Sequence, residues 1–190
     1  MLEYLTKVSS LLQTYPDYAD DILNSFSHTQ YVSKKWLVDK LEPYVPKQRP
    51  IDILIIGGWY GSYLVPLLKQ HNITLTDIDN DTVERSKFLH QLTPNVEFAV
   101  LDAENPTTTF NVDICINTSC EHMNTIGDGL IRNPNCLYVL QSCDNTDDPG
   151  HINVPTSTDD FVSRIGLTDI LFRGRLDLGH KNRFMVIGRK

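Results

Sequence analysis

Basic residues are scarce in this chain. Lysine and arginine number 17 against 24 aspartates and glutamates, a net charge of −7 over 190 residues. Such a chain has no general attraction for phosphate backbones or anionic membranes, and its longest basic cluster is Lys34-Lys35. This argues against a nucleic-acid partner. Long apolar runs are also missing; none approaches the ~20 residues that cross a bilayer as a helix. Met1-Leu2-Glu3-Tyr4 lacks the basic start and apolar block of a secretory leader, so a cytoplasmic location is expected. Cysteine is sparse: Cys115, Cys120, Cys136 and Cys143 form no C-x-x-C pair and lack zinc-site spacing. Cys115 and Cys136 fall inside apolar segments, so free thiols packed as small hydrophobes are expected, and no metal centre. No internal repeat and no low-complexity segment occurs.

Hydrophobic residues make up 41% and charged residues 22%, which suits one soluble domain with a full core. Its most informative segment is Ile51-Asp52-Ile53-Leu54-Ile55-Ile56-Gly57-Gly58-Trp59-Tyr60-Gly61. A short β-branched run suits a strand buried on both faces, and the glycines permit a sharp turn with room for a ligand. A second strand, Thr74-Leu75-Thr76-Asp77, ends in an acid twenty positions after Gly57. A carboxylate there can take ribose hydroxyls, so a nucleoside-containing cofactor is expected.

The first 48 residues read as helices. Leu2, Leu5, Val8, Leu11 and Leu12 recur at helical spacing. Asp17 is placed to cap a second helix after Pro16. A third spans Tyr31 to Leu41, with Trp36 a core residue, and Pro43, Pro46 and Pro50 end it. From residue 51 to 190 the pattern alternates: strand 51–56, helix 61–70, strand 73–77, helix 81–91 capped by Asp79 or Asn80, then strands 96–101, 112–116 and 137–141. Alternation implies parallel pairing with right-handed crossovers. Ser157 and Asp160 form a capping box for a last helix. Strands 168–176 and 183–188 flank too short a loop for a helix, so they pair antiparallel. The polar loop 143–159 is long enough to suggest a role; its His151 is expected to be solvated.

This order resembles the class I S-adenosylmethionine-dependent methyltransferases over about residues 51–190. Four motifs carry the likeness: the glycine loop at 53–61, the acid Asp77, the segment Val100-Leu101-Asp102-Ala103, and Asn117-Thr118-Ser119-Cys120-Glu121-His122-Met123 after the fourth strand. The resemblance implies an α/β, three-layer Rossmann-like fold: a seven-stranded, mostly parallel sheet ending in an antiparallel hairpin, with an N-terminal helical cover. It implies S-adenosylmethionine as cofactor and a small-molecule methyl acceptor. Gly57, Gly58 and Gly61 would approach the cofactor, Asp77 would hold the ribose, and Ile78 would lie against the adenine. Asp102 and the Ala103 amide would face the adenine edge. Asn117 would lie on the cofactor rim, and Glu121 or His122 would hold or deprotonate the acceptor. Trp59 replaces the family's central glycine, so its ring must point away from the cofactor or cover it. Residues 55–58, 76–79 and 83–87 also resemble the polyamine aminopropyltransferases, but Asn117-Thr118-Ser119-Cys120 stands where their acidic acceptor motif belongs. A non-catalytic protein keeping the fold is the other alternative. A nicotinamide dehydrogenase would need a second dinucleotide half where the terminal hairpin lies.

Overall fold

A computed structural model describes residues 2–190; Met1 lies outside it, as does the side chain of Leu2, the first member of the expected leucine face. Seven strands, β1 (Asp52–Ile56), β2 (Asn72–Asp77), β3 (Val96–Val100), β4 (Ile114–Asn117), β5 (Leu137–Cys143), β6 (Asp169–Asp177) and β7 (Asn182–Arg189), form one sheet. Their order is β3-β2-β1-β4-β5-β7-β6. The first five pair in parallel, and β7 runs antiparallel to both β5 and β6. This is the expected sheet, with β4 starting two residues later than the apolar pattern suggested and β5 running on to Cys143.

Alternation along β1 divides the core in two. Ile53 and Ile55 meet Leu37 and Leu41 of α3 (His28–Leu41) and Leu64 and Leu68 of α4 (Leu64–Leu68). Leu54 and Ile56 face the other side, with Phe161 and Ile165 of α6 (Thr158–Ile165). Helix α5 (Asn80–His90) is capped by Asp79, whose carboxylate accepts from the amides of Asp81 and Thr82. The Ser157 hydroxyl likewise accepts from the Asp160 amide at the start of α6. All four cysteines are free and buried. Among the described residues no helix is long and apolar enough to cross a membrane.

Several elements differ from expectation. Helix α4 begins at Leu64 rather than residue 61, because Gly61 is left-handed (φ +63°) and keeps the chain in a turn. Pro66 sits in its first turn, where a missing N–H costs nothing. Asp17 caps no helix; it lies inside a single 3-10 turn, Pro16–Tyr18. The crossovers into β4 and β5 contain no α-helix. Residues 101–113 hold a proline and three threonines, poor helix formers, and the 118–136 connection is interrupted by Gly127, Gly129 and Pro134.

The N-terminal helices α1 (Leu2–Thr14) and α2 (Ala19–Ser25) add no strand. Leu11 and Ile22 bury against Tyr60 and against Leu89 of α5, whereas Leu5 stays 59% exposed. The expected leucine face is thus shared between α5 and the residues of the glycine loop.

His90 lies within this contact at 1% exposure, stacked near Tyr4 and Phe98. Its Nε2 is 2.9 Å from the Tyr60 carbonyl, which only accepts, so Nε2 carries the hydrogen. Burial holds the imidazole down at about 4, partly offset by that hydrogen bond. The unfolded chain, with an ordinary value near 6.5, therefore takes up a proton that the folded protein refuses. His90 stability is complete above about pH 6.5 and is lost as pH falls toward 4, amounting to about 3 kcal/mol. Denaturant unfolding across that window should show the loss, and His90→Gln should flatten the slope. His71, also lowered by burial, leaves the variant a residual slope.

Candidate functional site

A cavity of about 750 Å³ opens along the carboxyl ends of β1, β2 and β4. In an open α/β sheet this rim is where ligands bind. Two opposed ends can be built from the residues upward.

At the first end β1 runs into Gly57, whose φ of +56° is open to glycine and costly for residues with a Cβ. Gly58 lies so close to β2 that a Cβ there would stand 2.3 Å from Leu75 Cδ1. The Gly58 amide donates to the Thr76 carbonyl (2.8 Å), fixing the loop against β2. Trp59 is also left-handed (φ 51°), a strain of about 1–2 kcal/mol. Two contacts hold it: its amide donates to Asp77 Oδ2 (2.9 Å), and its indole Nε1 donates to Asp21 Oδ2 on α2 (3.2 Å). The ring therefore turns into the helical cover. Tyr60 Oη donates to the same Asp21 oxygen (2.6 Å), Ser25 bonds Ser62 Oγ (2.7 Å), and Tyr63 Oη donates to the Phe26 carbonyl (2.7 Å). The cover thus grips the loop from residue 59 to 63.

Asp77 ends β2 beside this loop. Burial pushes its carboxyl up, partly opposed by the amides of Asp79 and Trp59, and no cation pairs with it among the described residues. Ile78 follows, 66% exposed, and lines the cavity. Asp102 and Ala103 line the same end. Both Asp102 oxygens accept from their own loop: the amides of Glu104 (2.9 Å) and Asn105 (3.3 Å) and the Asn105 side chain (2.9 Å). Those bonds hold its carboxyl below the usual range.

The second end lies beyond β4. Asn117 is fully buried and is not among the cavity-lining residues. Its Oδ1 accepts from the Ser119 amide (2.9 Å) and its Nδ2 faces Met123 Sδ (3.1 Å), so it shapes the loop from within. Thr118 and Ser119 reach the cavity instead, and Ser119 Oγ donates to the Gly57 carbonyl (3.0 Å). Glu121 is 3% exposed and pairs through Oε1 with Arg183 Nη1 (2.7 Å) at the start of β7. Arg183 Nη2 donates to the Thr118 carbonyl (2.7 Å). Burial would raise the Glu121 carboxyl, but the Arg183 guanidinium outweighs it and holds the group ionised below its ordinary range. The Glu121 carbonyl accepts the amides of Ile152 and Asn153, which draws the long loop onto the cavity.

His122 lines the cavity with Nδ1 3.1 Å from the Gly150 carbonyl. Nδ1 therefore carries the hydrogen of the neutral ring, which leaves the Nε2 lone pair free. His151 is not solvated as expected. Its side chain is 6% exposed, bound through Nδ1 to the Asn145 carbonyl (2.6 Å) and packed edge-on to His122, with ring centroids 4.5 Å apart. Glu121, Cys143 and His151 bring possible ligand atoms within 4.8 Å of one another. The Arg183 guanidinium on Glu121 opposes a divalent cation there, and the His151 Nδ1 hydrogen is already committed.

The structure thus brings the glycine loop, Asp77, Ile78, Asp102, Ala103, Glu121 and His122 to one cavity and leaves Asn117 behind it. Sequence reasoning missed Arg183 and Lys181 on the terminal hairpin and Asp21 on α2, which also line it. Arg183 had one signal, a charged residue heading an otherwise apolar strand.

No family model matches the chain. It is 33% identical over 85 residues to the non-reducing polyketide synthase Preu3 of Preussia isomera, spanning 40% of this chain and 3% of that protein. Solved structures similar to it include the CurJ carbon methyltransferase (TM-score 0.63, 15% identity, 97% of this chain and 71% of that one). Another is the citrinin polyketide synthase CMeT domain (TM-score 0.64, 14% identity, 88% and 56%). A third is the Burkholderia thailandensis 1,6-didemethyltoxoflavin-N1-methyltransferase, solved with S-adenosylhomocysteine (TM-score 0.65, 15% identity, 99% and 89%). The fold is the Rossmann-like fold of these methyltransferases.

Proposed function

We propose that this protein binds S-adenosylmethionine and transfers its methyl group to a small molecule. One observation carries the cofactor half. Asp77 is a partly desolvated carboxylate with no cation partner among the described residues, it faces a cavity, and the exposed Ile78 stands next to it. Two hydroxyl donors would satisfy that carboxylate, and a flat apolar ring would cover Ile78. The residues therefore fit a nucleoside. Gly57 and Gly58 leave the backbone bare where it would pass the ligand, and Asp102 and Ala103 lie where an adenine edge would reach. The solved methyltransferases that share the fold support the same reading. The net charge of −7 favours a small acceptor over nucleic acid.

When bound, the cofactor supplies the reactive methyl on a sulfonium, so the chemistry is largely its own. The chain has to orient the acceptor, exclude water and accept a proton. His122, with Nε2 free, is the proton acceptor. Glu121, ionised and held by Arg183, is the anchor that fixes the 118–123 loop and draws the 143–157 segment over the cavity. This assigns the two residues different tasks, although they are neighbours in sequence.

Calorimetric titration with S-adenosylhomocysteine tests the cofactor half. Asp77→Ala should weaken binding roughly ten- to a hundredfold, the worth of a charge-assisted contact of about 1.5–3 kcal/mol. Unchanged affinity in a folded variant would remove the ribose assignment. If the wild-type protein binds neither S-adenosylmethionine nor its demethylated product, the non-catalytic alternative stands. Methyl-labelled cofactor distinguishes methyl transfer from aminopropyl transfer, because only the former moves the label.

A further inference from the structure

The charges around the cavity are segregated. The end beside the glycine loop carries Asp21, Asp77, Asp102 and Glu104. The end beside His122 carries Lys34 from α3, Lys181 from the β6–β7 hairpin and Arg183 from β7. The carboxylates there are Glu121, whose Oε1 is committed to Arg183, and the exposed Asp148. Positive charge is in excess precisely where no nucleoside feature is expected, and this on a chain that is acidic as a whole.

Two of these cations are incompletely satisfied. Arg183 is 7% exposed, and its Nε is buried without a hydrogen-bond partner among the described residues. Lys34 makes no hydrogen bond and no close ion pair among the described residues. Burial and then the nearby Arg183 disfavour its ammonium, with only partial relief from Glu121. The helix that carries it is tied to the sheet. The preceding residue, Ser33, donates to Gln141 Oε1 on β5 (3.1 Å), and Gln141 Nε2 returns a bond to the Ser33 carbonyl (3.2 Å). An ammonium and a guanidinium brought together with little solvent between them repel each other, and an anion between them offsets that cost.

We propose that Lys34, Lys181 and Arg183 form a carboxylate subsite, and that the methyl acceptor is a small carboxylic acid held there by its ionised group. The inference rests on the methyltransferase reading above and names its substrate class. The carboxylate is assigned to the acceptor rather than to the cofactor's amino-acid tail for a positional reason. The charged neighbours of Lys34 are Glu121, Lys181 and Arg183, all on the β4–β7 side with His122, whereas Asp21 and Ser25 stand by the glycine loop. A carboxylate here would hold the acceptor against the free Nε2 of His122.

The probe is benzoate, with benzamide as its uncharged counterpart. Each is titrated calorimetrically into protein saturated with S-adenosylhomocysteine. Benzoate should bind at least tenfold tighter than benzamide. Lys34→Met should cut benzoate affinity at least tenfold while S-adenosylhomocysteine affinity stays within twofold. Lys181→Met, on a hairpin loop where folding is not at stake, should lower benzoate affinity in the same direction. Benzoate binding no tighter than benzamide overturns the proposal. So does a Lys34→Met variant that loses affinity for S-adenosylhomocysteine but not for methylthioadenosine, which lacks the amino-acid tail; the cations would then hold the cofactor. If the protein binds benzoate but no S-adenosylhomocysteine, the subsite stands and the cofactor reading falls.

Discussion

Replacing Arg183 with methionine is expected to destabilise the protein by about 3–5 kcal/mol, because it leaves a buried carboxylate without its cation. Glu121 is 3% exposed, its Oε1 has Arg183 as partner, and its Oε2 has no hydrogen-bond partner among the described residues. The same substitution frees the Thr118 carbonyl. For a chain of this size that corresponds to a thermal midpoint roughly 6–20 °C lower. The loss should depend on pH in a definite direction. With Arg183 present, the Glu121 carboxyl is held below its ordinary value, so the pair's contribution is present above the unfolded glutamate range and fades as pH falls through it. Without Arg183, burial raises the carboxyl against weaker opposition, from a backbone amide and His122, so the variant's deficit should shrink in acid, where Glu121 can be neutral. Glu121→Gln combined with Arg183→Met should recover much of the loss, since the carboxylate left without its guanidinium is then gone as well. A double-mutant cycle by urea unfolding measures the coupling. Near-additive losses would show that the two side chains do not act as a pair.

His122→Asn is expected to lower methyl transfer by roughly 10²–10⁴-fold, the usual worth of a positioned general base. Affinity for S-adenosylhomocysteine should stay within about twofold. The split follows from geometry: His122 lies beyond β4 with Nδ1 engaged by the Gly150 carbonyl, whereas the proposed nucleoside contacts follow β1, β2 and β3. An interaction made at the reacting proton appears in turnover rather than in cofactor binding. The measurement is transfer of methyl label, run beside a cofactor titration of the same variant. Equal loss in both would assign His122 to holding the 143–157 loop, through its contacts with Gly150 and His151, rather than to chemistry.

Much of the cofactor end was legible because its signals are local. Gly57 and Gly61 are recognisable since each adopts a positive φ that few other residues tolerate. Asp77 was legible because a strand of known length puts its last residue at the rim. Ile78 was legible as its neighbour, and Asp79 as a cap three residues before its partner amide at Thr82. Asn117 shows the limit of such reasoning. Its position at the end of β4 is right, but its side chain turns inward to Ser119 and Met123, a choice set by packing rather than by strand length. Trp59 is similar. The sequence allowed the ring two directions, and Asp21, 38 residues earlier, decided between them.

The sequence by itself determined the sheet, its parallel core and its terminal hairpin, since burial on both faces imprints continuous apolar runs and turns demand glycine or proline. It also determined the glycine loop and the acid after β2. Only the tertiary structure decided what faces the His122 end of the cavity. Arg183 stands 62 positions from Glu121, and Ser33 stands 108 from Gln141, the bond that places Lys34. Periodicity reports how a residue relates to its own helix or strand. A charge pair or a cluster of cations depends on which distant elements the fold brings together, and neither leaves a repeat in the chain. The different surroundings of Glu121 and His122 are of this kind: adjacent in sequence, they are set apart by a guanidinium that arrives from the last strand.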